Sequence, residues 1–201
     1  LPMLDEIVKM TDMDLQTIDA IAVAGGPGSF TGLRIGSATA KGLGLALNKP
    51  LIHIPTLEGM AYNLCGSSTI ICPIMDARRK QVYTGIYRFV EGKLEVVEEQ
   101  MAIAVEELIQ KLNEMGEEVT FLGDGVPGYA DCLREGLSVP FTFAPANMNR
   151  QRASSVGLLG IEYFKQGKTE TAREHQPDYL RVSQAERERN EREKAKEAKS
   201  E

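Results

Sequence analysis

Apolar positions change their period along this chain, and the changes mark its elements. Leu1, Leu4, Ile7 and Val8 follow the spacing of an amphipathic helix over Leu1–Met10, which Thr11-Asp-Met-Asp14 ends. The run Ile18–Ala24 is short, apolar and closed by glycines, the pattern of a buried strand. Gly25–Gly32 forms a glycine-rich turn, Leu33–Leu47 a helix, Pro50–Pro55 a second strand and Thr56–Leu64 a short helix. Cys65–Thr69 is the best linker candidate. Beyond it, Ile70–Met75, Gln81–Phe89 and Leu94–Ala104 predict three consecutive strands, with Glu91-Gly92-Lys93 as a hairpin turn. Val105–Met115 carries apolar residues at 105, 108, 109 and 112 and predicts a helix. Strand Val119–Leu122, closed by Gly123-Asp-Gly125, helix Tyr129–Glu135, strand Val139–Phe143 and helix Arg152–Lys165 complete the order.

The second half thus runs βββ-α-β-α-β-α and the first α-β-α-β-α. The first matches the part of the second that follows its third strand. The junctions AVAGGPGSFTGLR (22–34) and FLGDGVPGYADCLR (121–134) both pass from a strand through glycines to a helix ending Leu-Arg. The expectation is an α/β fold built from a duplicated βββαβα unit whose first copy has lost its opening strands. The first unit covers 1–66, the second 67–183, and 184–201 is a charged tail, helical or disordered. The chain opens on Leu1 rather than Met, inside a helical pattern, which leads us to expect a missing N-terminal strand segment.

Composition narrows the function classes. The 201 residues are 42% hydrophobic and 26% charged, the balance of a folded globular chain rather than a disordered one. There is no Trp, and aromatics make up 6%, which argues against a stacking platform for single-stranded nucleic acid. A net charge of −6 has the wrong sign for a stand-alone binder of phosphate backbones. The tail holds six Glu and six Lys or Arg, so the whole −6 sits on the body. No apolar run is long enough to span a bilayer. Cys65, Cys72 and Cys132 form no CxxC pair and predict reduced, half-buried thiols. His53 and His175 lack a neighbouring histidine, so a histidine metal site would need ligands from far along the chain, and none is expected.

Gly25-Gly-Pro-Gly-Ser-Phe-Thr-Gly-Leu-Arg34 is the most informative stretch. A glycine turn from strand to helix can cradle phosphate on its N–H groups. The third glycine of a GxGxxG falls one place late, however, and no GxxxxGK[ST] can be drawn. The favoured reading is a structural turn at Gly25, Gly26, Gly28 and Gly32, with Ser29 or Thr31 capping the helix. Gly28, Gly32, Gly36, Ala40 and Gly44 then form one stripe with almost no side chains. Ala38, Gly42 and Ala46 form a second, nearly opposite. Each helical glycine costs about 1 kcal/mol against Ala, so close neighbours are expected on both sides: the helix's own sheet and a second helix. That second neighbour is either part of this chain or a partner docking on this helix and the Met-bearing helix before it.

The run GGPGSFTGLRIGSATAKGLGLALNKPLIHIPTLEGMAYN (25–63) closely resembles the signature of the TsaB family, in the actin-like ATPase superfamily of ribonuclease-H-like lobes and related to TsaD. Weaker similarity continues through Asp76-Ala-Arg78 with Val82-Tyr83, Gly123-Asp-Gly125 and Pro177-Asp-Tyr-Leu-Arg181. The resemblance implies a cytoplasmic, non-catalytic scaffold and dimerisation subunit for making N6-threonylcarbamoyladenosine beside the tRNA anticodon. It implies TsaD as partner, TsaE joining the pair, self-association as a homodimer, and tRNA reached only through the complex. Pairing in the family uses the first two long helices, which map onto Leu1–Met10 and Leu33–Leu47. The contact candidates are therefore Leu4, Ile7, Val8, Arg34, Ala38, Lys41 and Gly42. No cofactor is expected, although a nucleotide at a subunit surface stays open.

The competing reading is a metal- or ATP-dependent hydrolase, peptidase-like, of the same superfamily. TsaD-like relatives hold metal partly through an HxEGH-type segment, and the corresponding stretch here is Thr56-Leu57-Glu58-Gly59-Met60. A hydroxyl and a thioether replace both histidines, and both are poor ligands for such an ion. Ser29, His53 and Asp76 could be assembled into a triad on paper, as could sets in any chain of this length. Asp76 with Arg78 and Arg79 could bind phosphate, with a salt-bridged strand end as the alternative. No catalytic and no metal-binding residues are assigned.

Overall fold

In the computed structural model, residues 1–180 are described, so the tail expected over 184–201 and the end of the second unit lie outside them. Among the described residues no helix is long and apolar enough to cross a membrane.

The centre is a five-stranded mixed sheet in the order β5-β4-β3-β6-β7. It consists of β3 (Ile70–Asp76), β4 (Gln81–Val90), β5 (Lys93–Ala104), β6 (Val119–Leu122) and β7 (Phe141–Phe143). The first three form an antiparallel meander, and β6 and β7 add parallel to β3 on its other side. β3 is apolar and buried from Ile70 to Met75 because both its faces are covered, and only its last residue, Asp76, is exposed. Ile70, Cys72 and Ile74 face Leu108, Leu112, Phe121 and Leu133, while Ile71 and Met75 face Leu57, Met60, Tyr87 and Leu122. This is the two-residue alternation of a strand, with a core on each face. Helix α4 (Val105–Met115) buries its predicted apolar positions and stops at Gly116, whose φ of 69° continues no helix.

A smaller sheet pairs β1 (Ile21–Gly26) in parallel with β2 (Leu51–Pro55). Between them runs α2 (Phe30–Leu47), closed by Asn48 at φ 52°. Strand, glycine turn, helix and parallel strand thus recur as β1-α2-β2 and as β6-α5-β7, where α5 is Val126–Gly136. The expected internal echo is visible as element order and parallel pairing. One neighbour differs: β6 has β3 on its far side, whereas β1 pairs only with β2 among the described residues.

Helix α3 (Thr56–Ala61) is wholly buried and packs against both sheets. The last helix, α6 (Ala153–Lys165), returns to the smaller sheet, where Leu159 joins Ile52 and Ile54. The chain then runs back along it: Leu51 and Glu170 exchange backbone hydrogen bonds, and the Asp178 N–H donates to the Gly25 carbonyl at 2.7 Å.

Boundaries differ from the sequence reading where local chemistry intervenes. α2 begins at Phe30 rather than Leu33 because Ser29 supplies the cap. α5 begins at Val126 rather than Tyr129, since Pro127 fits a first helical turn. β7 begins only at Phe141, just past Pro140, which lacks an N–H. β1 begins at Ile21, leaving Ile18 and the exposed Asp19 outside the ladder.

Candidate docking surface and glycine turn

Helix α1 (Pro2–Thr11) buries no residue. Leu1, Met3, Ile7 and Met10 are exposed, Ile7 at 54%, and Leu4 and Val8 are half-buried. The two small-residue stripes of α2 have different fates. Ala40 and Gly44 turn inward, and a side chain at Gly44 would press on Leu51 and the Lys49 carbonyl at 3.1 Å. Ala38, Gly42 and Ala46 face outward, and a Cβ at Gly42 would meet nothing within 4 Å. The own-sheet neighbour is therefore present, and the second neighbour is not supplied by the described residues. Arg34 is exposed and lies 4.0 Å over the Phe30 ring. Lys41 sits differently from the other candidates, because its ammonium donates to the His175 carbonyl at 2.7 Å.

The glycine turn is filled by the protein's own chain. A Cβ at Gly25 would fall inside the His53 ring. Gly26 has φ 128°, and a Cβ there would collide with the Asp178 carbonyl oxygen. Its N–H donates to Thr56 Oγ1 at 3.1 Å. Gly28 makes only ordinary contacts, and Gly32 lies close to Ser29, whose hydroxyl accepts the Gly32 N–H at 3.3 Å. Of the two cap candidates, Ser29 is the one used. At Gly25 and Gly26 glycine permits close approach of His53 and of residue 178, and the Gly25 carbonyl and the Gly26 and Gly32 N–H groups are engaged with protein.

Thr56-Leu-Glu-Gly-Met60 is likewise absorbed into structure. Thr56 holds the turn, Met60 is buried at 1% exposure, and Glu58 accepts a hydrogen bond from Tyr163 Oη on α6. Burial, more than any other influence, pushes the Glu58 carboxyl above its ordinary range; the Tyr163 hydroxyl partly counters it. Sequence reasoning missed Glu58. A lone carboxylate between Leu57 and Met60 was the available signal, but its partner lies far along the chain.

The paper triad does not form, because His53 Nε2 meets Asp178 Oδ2 at 3.0 Å rather than Asp76. Asp76 instead accepts from the Arg78 N–H at 2.8 Å and from Tyr129 Oη at 3.3 Å, which replaces the expected salt-bridged strand end with a capped turn. Nor are the cysteines uniformly half-buried: Cys65 is exposed, Cys132 intermediate, and Cys72 fully enclosed beside Thr84. Burial pushes the Cys72 thiol up to about 12, far from thiolate chemistry.

Residues 1–189 match the family described as TsaD, tRNA N6-adenosine threonylcarbamoyltransferase. The chain is 35% identical over 188 residues to the tRNA threonylcarbamoyladenosine biosynthesis protein TsaB of Bacillus subtilis, covering 92% of this chain and 80% of that protein. Against the Escherichia coli protein of the same name the identity is 30% over 184 residues, covering 90% of this chain and 78% of the relative. Among solved structures, a Pseudomonas aeruginosa protein described as similar to peptidase YeaZ superposes with TM-score 0.76 at 24% identity, covering 90% of this chain and 82% of that one. That likeness shows the shared α/β fold.

Proposed function

Because the chain belongs to the TsaB family, within the wider family described by TsaD, we propose that it is a non-catalytic subunit that pairs with TsaD through α1 and α2. Family membership ties the chain to tRNA threonylcarbamoyladenosine biosynthesis. In this reading TsaD carries the transfer chemistry, TsaE joins the pair, and tRNA is reached through the complex, in the cytoplasm. The same face also pairs two copies of this chain.

One observation carries the docking assignment: the outward stripe Ala38, Gly42 and Ala46 on α2, taken together with an α1 that buries none of its residues. A helix face without long side chains lets a second helix approach closely, and the exposed apolar residues of α1 offer further surface for a partner to cover. The use of Thr56, Glu58 and Met60 in packing supports a subunit that has given its interior to structure. Its net negative charge fits a protein that leaves phosphate contacts to its partner.

Ala38→Trp and Gly42→Trp test the assignment. Each variant should keep the wild-type far-ultraviolet circular dichroism while losing co-elution with TsaD, with affinity down about tenfold or more. Co-elution that survives in a folded variant rules this face out.

A further inference from the structure

β3, β6 and β7 run parallel, so the loops that leave them gather at one end of the five-stranded sheet. The loop leaving β3 carries Arg78-Arg79-Lys80, three adjacent cations at the tip of the β3–β4 hairpin. Its stem is tied: the Ala77 N–H donates to the Gln81 carbonyl at 3.0 Å, and the Gln81 N–H to the Arg78 carbonyl at 3.1 Å. All three residues take left-handed backbone, with φ of 62°, 56° and 59°. Such positions favour Gly, Asn or Asp, and here they hold two arginines and a lysine. Backbone held against its preference clusters where a protein does its work. All three side chains are exposed, and among the described residues none enters an ion pair. On the loop leaving β7, the exposed Arg150 is a fourth cation without an ion pair. The carboxylates at this end are Asp76, Glu106 and Asp124, and Asp76 is engaged by the Arg78 N–H and Tyr129 Oη.

We propose that Arg78, Arg79 and Lys80, with Arg150 on the loop from β7, touch the sugar–phosphate backbone of a tRNA held by the complex of this chain with TsaD. The proposal rests on the pairing reading given above. The adjoining β6–α5 turn offers no cradle for a single buried phosphate, because its N–H groups are already spent. Gly123 donates to Asn149 Oδ1 at 2.7 Å, Gly125 to the Ile74 carbonyl at 3.0 Å and Val126 to the Gly123 carbonyl at 3.2 Å. Exposed long cations at the tip of a tied hairpin suit a row of phosphates on a convex surface instead. Contacts of that kind position a nucleic acid without reading its bases, and salt weakens them by restoring counterions. A chain of net charge −6 holds RNA poorly by itself, so these cations add to the contacts of the partner, which supplies most of them. The acidic body and the cationic tip thus have separate tasks: the first leaves RNA to TsaD, and the second meets it once it is bound there.

The probe is an unmodified tRNA transcript, titrated with the complex of the full chain and TsaD over a series of KCl concentrations. The variant combining Arg78→Gln, Arg79→Gln and Lys80→Gln should co-elute with TsaD as wild type does. Its tRNA affinity at low salt should fall about tenfold, and the slope of log Kd against log salt should lose about one per contact, about three in all. Arg79→Gln alone, at the tip of the exposed loop, should lose about one in slope while the chain stays folded. The same loss of charge at Arg88, Lys111 and Arg134, each already paired with a carboxylate, should leave affinity and slope near wild type. Unchanged affinity and slope in a loop variant that still co-elutes overturns this proposal and leaves the pairing with TsaD standing. An equal loss in the Arg88, Lys111 and Arg134 variant overturns it too, since net charge alone would then be the cause. Loss of co-elution in the loop variant assigns the cations to carboxylates of the partner protein instead of RNA. Wild type that fails to co-elute with TsaD ends the pairing reading, and this proposal with it.

Discussion

The β1-α2-β2 and β6-α5-β7 segments share a plan and differ in surroundings. Leu122 and Gly123 close β6 as Gly25 and Gly26 close β1. Gly123 has φ 116° with a Cβ position that would strike the Ile74 carbonyl oxygen, and Gly26 has φ 128° with one that would strike the Asp178 carbonyl oxygen. The backbone trick is the same. Yet β6 is nearly all buried beside β3, whereas Ile21, Ala22 and Val23 of β1 remain partly exposed. Alongside β1 an open groove of about 1090 Å³ is lined by Met3, Ala22, Val156, Gly160, Ile161 and Phe164. Local sequence therefore writes strand, turn and helix, and the neighbour across the strand decides how much apolar surface leaves water.

Core truncation should break the symmetry most. Phe121→Ala in β6 removes a fully buried ring and should cost about 3–5 kcal/mol in denaturant unfolding, against under about 1 kcal/mol for Val23→Ala in β1. Similar losses at the two sites would mean that the segments are equally built into the fold.

The matched glycines sharpen the comparison. Strained backbone conformations cost of order 1–3 kcal/mol each. Gly123→Ala should reach the upper end because the carbonyl it meets belongs to the central strand β3. Gly26→Ala should cost less, since the chain around the exposed Asp178 has room to move. A reversed order by thermal unfolding would show that the 170–178 segment is the more rigid of the two.

The smallest effect concerns Glu58, which sits where α3 joins the two sheets. Its carboxyl is raised in the folded state, so that state holds the proton more tightly than the unfolded chain. Stability should then decline as pH rises from the ordinary carboxylate range through the raised value. In Glu58→Gln this part of the decline should vanish, leaving a flatter profile of denaturation midpoint against pH. A profile parallel to wild type would remove Glu58 as its source.

How much of this was legible depended on the range of the contacts. Periodicity located β3, β4, β5 and α4, and Glu91-Gly92 makes a hairpin with φ of 49° and 78°, as two left-handed residues in a tight turn do. The small-residue stripes of α2 were visible too, and so was the Ser29 cap. Lys41 was not, because its spacing on α2 fits an outward face equally well and only the fold brings the His175 carbonyl to its ammonium. The pairing of Glu58 with Tyr163 and the approach of His53 to His175 depend in the same way on the end of the chain crossing back. No local pattern announces such a crossing. That α6 covers the smaller sheet likewise rests on packing between distant apolar residues rather than on their period.

The return of α6 and residues 170–178 to the smaller sheet also sets an order of assembly. β1 and β2 leave the ribosome before most of the chain. The helix that covers their inner face and the segment that fills their glycine turn are made only after the whole five-stranded sheet. Contacts between such distant segments must overcome the entropy of closing a long loop. The part of the molecule synthesised earlier is therefore the part whose packing is finished last, when synthesis reaches Asp178.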